Sequence, residues 1–432
     1  MHIPDGYLDP IFSLGTGVVT IPVWARAVNK VRDVLNNRTV PLLAIFAAFS
    51  FTIMMFNVPV PGGTTAHGVG GTLIAIVLGP WAAVICVSTA LIIQALFFGD
   101  GGVLAIFVNC LNMAIILPFV GYYTYKLVAG NSALFGRRRV VAAGIGSYVG
   151  ITVAALACGI ELGLQPLLFS QNGHALYNPY PLSVSVPAML ASHALGASFV
   201  EALITALGLA YIQSNFPQYL TSLRNIVTGA EVPEGQVKRT PLWQIFAGGA
   251  VITIVLLFFA GLITGGGQID HLFGADWSQV NWSDVGIMML IVLGIAIVLI
   301  PLAWFLLPRS IKKVGTFFLV IAIIAPLGLI APGFAFGEGS PSDVQAAFGY
   351  IPTGLQQLNG IWTAPFSDYN VGANFFTDPN APLWHVALGY EISGLIGILL
   401  VGAAILGIAW LLRRLWPKPG LVANTGDSPG AG

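Results

Sequence analysis

The sequence predicts an all-α integral membrane protein, and three features carry that prediction. Of its 432 residues, 56% are hydrophobic and only 8% are charged, whereas soluble domains carry roughly 25% charged residues. Apolar runs of about 20 residues, long enough to cross a hydrocarbon core of roughly 30 Å, recur along the chain, most plainly at 243–264, 284–307 and 385–412. The basic residues, finally, are gathered into clusters separated by long stretches that have none.

Those clusters set the topology. All 17 Lys and Arg fall in five groups: Arg26, Lys30, Arg32 and Arg38; Lys126 and Arg137 to Arg139; Arg224, Lys238 and Arg239; Arg309, Lys312 and Lys313; Arg413, Arg414 and Lys418. The positive-inside rule makes the five groups cytoplasmic. Span one (10–27) then leads inward from an external amino terminus, and span two (40–58) returns outward to the loop around Asn57 to His67. An odd number of crossings must separate His67 from Lys126, and three helical pieces fit: 67–79, 81–98 and 103–127. They are broken at Gly79-Pro80 and at Gly99 to Gly102, where proline and paired glycines interrupt a helix. Spans at 139–164 and 186–213 complete a seven-span unit, 1–213.

A polar stretch, 214–241, reads as a cytoplasmic linker. Four further spans follow, at 243–264, 284–307, 314–333 and 385–412, the last two flanking an external segment, 334–384, rich in Gly, Pro, Asn and Asp. The expected units are therefore 1–213, 214–241, a two-span region 242–313, a second two-span region 314–418, and a cytoplasmic tail 419–432. Seven spans and four cannot be paired as inverted repeats.

Composition also excludes some functions. The zero net charge argues against nucleic acid as a partner. Cys86, Cys110 and Cys158 lie in apolar runs as small hydrophobes, with no Cys-x-x-Cys spacing for zinc or redox chemistry. No Gly-x-x-x-x-Gly-Lys-Ser/Thr phosphate loop occurs. The opening residues, MHIPDGYLDP, have no positively charged leader region, so Met1 is expected to be the retained start.

By parity, Met1-His2 and His67 share the outer face. A histidine at position 2 lets the α-amino nitrogen, the His2 backbone nitrogen once deprotonated, and an imidazole nitrogen close two fused chelate rings in one plane. An imidazole such as that of His67 would complete a square, the geometry favoured by Ni(II) or Cu(II), and histidine is the commonest metal ligand. Pro4, Asp5 and Gly6 would turn the chain back over the bundle. The competing reading of the same spacing is an unattached terminal His2 and an ordinary loop His67.

Longer motifs favour the metal. MHIPDGYL at the start, NVPVPGGTTAHGVGG at 57–71, LGPWAAV at 78–84, QALFFGDGGVLAIFVNCLNMAI at 94–115 and HALGASFVEALIT at 193–205 together resemble the substrate-binding membrane subunit of cobalt/nickel energy-coupling-factor (ECF) transporters, the CbiM/NikM type. The likeness covers residues 1–230, and its seven-helix fold agrees with the count reached from charge. The resemblance implies that Ni(II) or Co(II) is the transported substrate, with Met1, His2 and His67 as ligands and no resident cofactor. It implies a prokaryotic plasma-membrane protein that is not itself an enzyme, and whose partners are membrane lipid, a transmembrane coupling subunit and cytoplasmic ATPases. In related binding subunits an Ala-xxx-Ala pair faces the coupling subunit. Ala44 and Ala48 match it, and such pairs equally serve internal packing. Accessory regions fused to these subunits carry a Pro-Asp-Gly-Leu-Glu motif and an Ala-Pro-x-x-Asp-Tyr element. The second is present at Ala364 to Tyr369, and the first survives only as Ser340-Pro341-Ser342-Asp343-Val344.

Other polar residues in spans are costly and commonly functional. His193 and Glu201 are candidate outer partners of the metal-bound imidazoles, or a structural pair within the bundle. Asn109 and Asn112, three apart on one helical face, bridge helices or steady the amino-terminal loop. Asp100 is expected to cap the following helix. His174, His271 and His385 are expected not to be ligands, and Glu391 in the last span has no assigned role. Two rival functions remain at this point: a secondary metal transporter driven by ions, and an intramembrane enzyme built from the scattered Glu161, Glu201, Glu391 and His193.

Overall fold

The first helix starts where the sequence supplies a cap. The Asp9 carboxylate accepts from the backbone N–H groups of Ile11 and Phe12, and Pro10 fills the first position, whose N–H is not needed. In the computed structural model, which describes residues 1–35, 39–55, 57–60, 64–220, 282–306, 316, 329, 335–371 and 382–415, helices α1 (Pro10–Gly15) and α2 (Gly17–Arg32) continue one another as a single crossing. Helix α3 (Thr39–Met55), α4 (Gly71–Leu78) and α5 (Pro80–Ile93) follow. Next come α6 (Ile106–Asn109), α7 (Leu117–Ala129), α8 (Arg137–Gly163), α9 (Gln165–Leu168), α10 (Leu182–Ser192) and α11 (Ser198–Asn215).

Among the described residues seven helical stretches are long and apolar enough to cross a membrane: Pro10–Arg32, Pro80–Phe98, Ile106–Ala129, Arg137–Leu168, Leu182–Asn215, Ser283–Leu302 and Leu383–Leu415. Adding α3 and the short α4 to the first five gives the seven pieces expected before residue 215. Beyond them lie α12 (Trp282–Leu306) and α15 (Leu383–Leu415), with the small helices α13 (Pro341–Phe348) and α14 (Thr353–Leu358) between. The spans expected at 243–264 and 314–333, most of the linker and the tail lie outside the described residues, save the isolated 316 and 329.

Packing follows small side chains. Gly146 and Gly150 of α8 face α7 so closely that a Cβ on Gly150 would stand 2.7 Å from the Leu117 carbonyl oxygen. In a membrane, where apolar burial drives little association, such backbone contact is what holds helices together. On the opposite flank α15 lies along α3, with Gly394 against Met55 and Gly397 against the Phe51 ring. Ala44 and Ala48 are half-buried and continue that same face at i, i+4, i+7 and i+11.

One expected boundary shifts. Span two does not run to residue 58: α3 ends at Met55, and Asn57–Val60 (β1) pairs antiparallel with Thr64–His67 (β2), Asn57 opposite His67. Pro59 cannot extend a helix from the preceding turn, and the short β-rich run pairs instead. A second small hairpin joins Ser170–Gln171 (β3) to His174–Ala175 (β4), so the fold is helical with two strand pairs added. Three helices also widen into π-turns, at Gln94–Phe98, Cys110–Ile116 and His193–Ala197. Such bulges re-aim side chains and gather at functional sites.

At about 1.5 Å per residue α8 is about 40 Å long, and it separates two chemically distinct ends. Arg138 and Arg139, at its start, bond the Val128 and Ser132 carbonyls. At its far end the Leu162 carbonyl accepts from Asn178, whose own N–H donates to the Tyr7 carbonyl. The amino terminus, β1–β2, the 99–105 turn and residues 335–371 gather at this second end.

Candidate metal-binding cavity at the amino terminus

The first nine residues are held as a structural segment. Ile3 N–H donates to Asn109 Oδ1 at 2.9 Å, and Asn109 Nδ2 donates back to the Ile3 carbonyl at 3.1 Å. Gly102 N–H donates to the same carbonyl at 2.8 Å. Asp5 accepts from Val103 and Leu104 N–H at 3.0 and 2.8 Å, Asp9 N–H donates to Gln165 Oε1 and Tyr7 Oη donates to the Gly339 carbonyl. The 99–105 turn is built for this approach. Gly101 sits at φ +87°, which only glycine adopts without strain, and a Cβ on Gly102 would overlap the Asp5 carboxylate. Asp100 therefore lies in a turn devoted to the terminus and does not cap the next helix, which begins only at Ile106.

Met1 and His2 are thereby inserted into a cavity of about 60 Å³ lined by Asn57, His67, Asp100, His193, Phe336 and Glu338 among others. The Met1 amine stands 3.5 Å from Glu338 Oε1, and Glu338 also accepts from the His2 backbone N–H. His2 is 3% exposed; its Nδ1 lies 3.1 Å from Asp100 Oδ1, and its ring stacks on His67 with centroids 4.9 Å apart. His2 Nε2 and the nearby Gln94 Oε1 are both buried, and neither makes a hydrogen bond of ordinary geometry. Such groups carry a desolvation cost until something pairs them.

Electrostatics keep the imidazoles neutral. Burial, then the neighbouring amine charge, holds His2 well below the ordinary histidine range. The same two causes and the His2 ring lower His67 to about 3. Burial pushes Glu338 up to about 7, and it raises Asp100 against the opposing pull of the Tyr369 hydrogen bond. Neutral imidazole is the metal-binding form.

The remaining candidates fall at different distances from this centre. His67 ends β2 with Nδ1 2.9 Å from the Gly68 carbonyl. Glu201, from α11, accepts from Val69 N–H at 2.7 Å and Gly70 N–H at 3.0 Å, so it fixes the chain just after His67 without touching either imidazole. His193 lines the cavity, its Nδ1 turned to the Met189 carbonyl at 2.9 Å; it does not pair with Glu201. Asn109 clamps the terminus, whereas Asn112 donates to Glu161 at 2.6 Å, deeper in the bundle. Three residues that sequence reasoning missed belong here: Gln94, Tyr369 and Glu338. Gln94 Nε2 donates to Asp100 at 3.2 Å and to Tyr369 Oη at 2.8 Å, and the Tyr369 hydroxyl donates to Asp100. Tyr369 belongs to the Ala-Pro-x-x-Asp-Tyr element, and the Gly337-Glu338-Gly339 setting of the carboxylate was the available sign. The degenerate motif forms a capping box, Ser340 and Asp343 bonding reciprocally at the start of α13.

Among the described residues no group of three or more His, Cys, Asp and Glu side chains is arranged to hold a metal. The family described as CbiM, the cobalt uptake substrate-specific transmembrane region, matches residues 2–219. The chain belongs to the CbiM family. A fused nickel transport protein NikMN of Rhodobacter capsulatus is 36% identical over 436 residues, covering 97% of this chain and 100% of the relative. The "Probable fused nickel transport protein LarMN" of Lactiplantibacillus plantarum is 49% identical, covering 51% of this chain and 66% of its own. A crystal structure described as a truncated transition metal transporter is 52% identical, covers 49% of this chain and 98% of its own, and has a TM-score of 0.46. The CbiM-family match ends within a few residues of the end of α11, Asn215, and the full-length likeness to a fused relative extends through α15. This is a multi-pass membrane protein of the transport class.

Proposed function

We propose that this CbiM-family chain captures Ni(II) or Co(II) at the outer face and delivers it across the membrane as the substrate-specific component of an ATP-driven ECF transporter, with the coupling subunit and ATPases as separate chains. The observation that carries the reading is the cavity in which the Met1 amine, His2 and His67 meet. A cation there is held by the amine, the His2 backbone nitrogen, a His2 imidazole nitrogen and the His67 imidazole. The first three close fused rings through covalent geometry alone, so little orientation entropy is lost when they bind. His67, stacked on His2, supplies the fourth direction. Main-chain nitrogens supply the rest of the set, because among the described residues no three His, Cys, Asp or Glu side chains are grouped to hold an ion by themselves.

Binding exchanges protons for the cation. The imidazoles are already neutral. The amine and the His2 amide carry the protons to be lost, which leave to water as the ion enters, and Glu338 is the carboxylate that faces both nitrogens. Sidedness rests on the Lys and Arg clusters, which put the cavity at the end opposite Arg137 to Arg139. Metal analysis of protein purified with a verified free amino terminus, followed by titration with Ni(II) and Co(II), tests the proposal. Stoichiometric binding is expected for the isolated chain. Uptake should further require a coupling subunit and an ATPase. Accumulation that persists without an ATPase, and collapses with the ion gradient, would favour the secondary-transporter alternative.

A further inference from the structure

We infer that the segment following the CbiM-family domain supplies an oxygen ligand, Glu338, to the cation bound by the four nitrogens. The inference rests on the nitrogen set proposed above and adds a donor from outside the family domain. Its first support is position. The Glu338 carboxylate addresses two adjacent nitrogens at once, the Met1 amine and the His2 backbone N–H, which are the pair that closes the five-membered chelate ring. An ion bound between them arrives at the place this carboxylate faces.

The second support is distance. A direct charge-assisted N–H···O contact runs to about 2.7–2.9 Å, yet the amine and Glu338 Oε1 stand 3.5 Å apart. Nitrogen and oxygen donors each at about 2.0–2.2 Å from a shared ion span such a gap when the ion lies off the line between them. Position is fixed by the chain on both sides: Tyr7 Oη bonds the Gly339 carbonyl at 2.7 Å, and the Gly337 turn packs on Leu162.

A planar four-nitrogen set suits low-spin Ni(II). A fifth, oxygen donor would move the site away from the square plane, which favours paramagnetic over diamagnetic Ni(II) and accommodates Co(II). Glu338 is thus a determinant of which ion the cavity holds. The test compares Ni(II) and Co(II) affinity, visible absorption and magnetic moment for the full chain, Glu338→Gln, Glu338→Asp and His67→Ala. Glu338→Gln should weaken Co(II) by at least tenfold and Ni(II) by less, with the nickel form turning planar and diamagnetic. Glu338→Asp, which keeps the charge with a shorter reach, should retain part of the Co(II) affinity, showing that the loss is not one of folding. Affinities and spectra unchanged in Glu338→Gln, or tighter binding of both ions, would overturn the inference and leave Glu338 as the counter-ion of the amine. Unchanged binding in His67→Ala would instead overturn the nitrogen set on which it stands.

Discussion

Residues 1–219 and residues 335–371 meet at one cavity and bring opposite chemistry to it. The first region presents nitrogen: an amine, an amide and two imidazoles, placed by backbone clamps from Asn109, Gly102 and the Asp5 carboxylate. The second presents oxygen: the Glu338 carboxylate and, through Asp100, the Tyr369 phenol. The two also differ in how they are held. The amino terminus is hydrogen-bonded into the helical bundle, whereas the second region packs Phe336, Val344, Leu355 and Tyr369 into the same core and adds bonds such as Gly354 N–H to the Leu176 carbonyl and Phe366 N–H to the Phe97 carbonyl. Geometry thus belongs to the family domain and local charge to the segment after it.

The largest effect should come from breaking the geometry while every side chain stays. One residue added before Met1 moves the charged amine away and shifts His2 to the third position, so binding that depends on His67 should be abolished. The space also closes, because Met1 and His2 are already buried. A third-position histidine can fill a square by using two amides, which would leave no place for His67. Nickel titration of the verified extension, alone and combined with His67→Ala, separates the outcomes. Retained affinity that still falls on His67→Ala would remove the amine from the ligand set.

Next in size is His67→Ala itself, which should weaken both ions by at least tenfold, about 1.4 kcal/mol, with expression and folding retained. Unchanged titrations would confine the site to the terminal residues.

These two experiments probe what was legible in the sequence. Histidine at position 2, a second histidine in a Gly-rich loop and the parity of five basic clusters left Met1, His2 and His67 as candidates, the resemblance of the longer motifs chose them, and the structure brings those residues into one cavity. The helix count up to Asn215 was legible for the same reason, since apolar length and charge sidedness are local properties. What escaped notice is non-local. Glu338 and Tyr369 lie more than 260 positions from their partners at the cavity, and their local settings, Gly337-Glu338-Gly339 and the Ala-Pro-x-x-Asp-Tyr element, mark them without naming those partners. The β1–β2 hairpin was hidden because a four-residue strand containing proline carries little periodic signal. The π-turn at Gln94 escaped because one extra residue in a helix leaves its apolar composition unchanged.

A smaller effect concerns protons. The folded protein holds His67 neutral down to about 3, while the unfolded chain protonates it near the ordinary value of about 6.5. A folded value below the unfolded one means that stability is fully present above about 6.5 and is lost as the pH falls toward 3. At pH 5 the loss is on the order of 1–2 kcal/mol from His67, reduced by its partial exposure. The thermal midpoint of the metal-free protein should therefore drop between pH 7.5 and 5, and His67→Ala should flatten that dependence. An equally steep drop in the variant would place the acid sensitivity elsewhere.

The smallest effect should come from Tyr369→Phe, and its size decides whether geometry and charge are truly divided between the two regions. The ring remains, stacked on Phe98 with centroids 5.0 Å apart and tilted against Tyr390, so packing is conserved. Only the hydroxyl is lost, and with it the donor to Asp100 and the acceptor for Gln94 Nε2. Two hydrogen bonds are lost, each of about 0.5–1.5 kcal/mol, but Asp100 keeps Gln94 and His2 as partners and Gln94 keeps Asp100. Because the hydroxyl draws on the same carboxylate that faces His2 Nδ1, its removal strengthens the Asp100 hold on the imidazole proton. Nickel affinity should fall about threefold, within that energy range. A loss as large as that of His67→Ala would mean that residue 369 helps to place the nitrogens, and the division drawn between the two regions would fail.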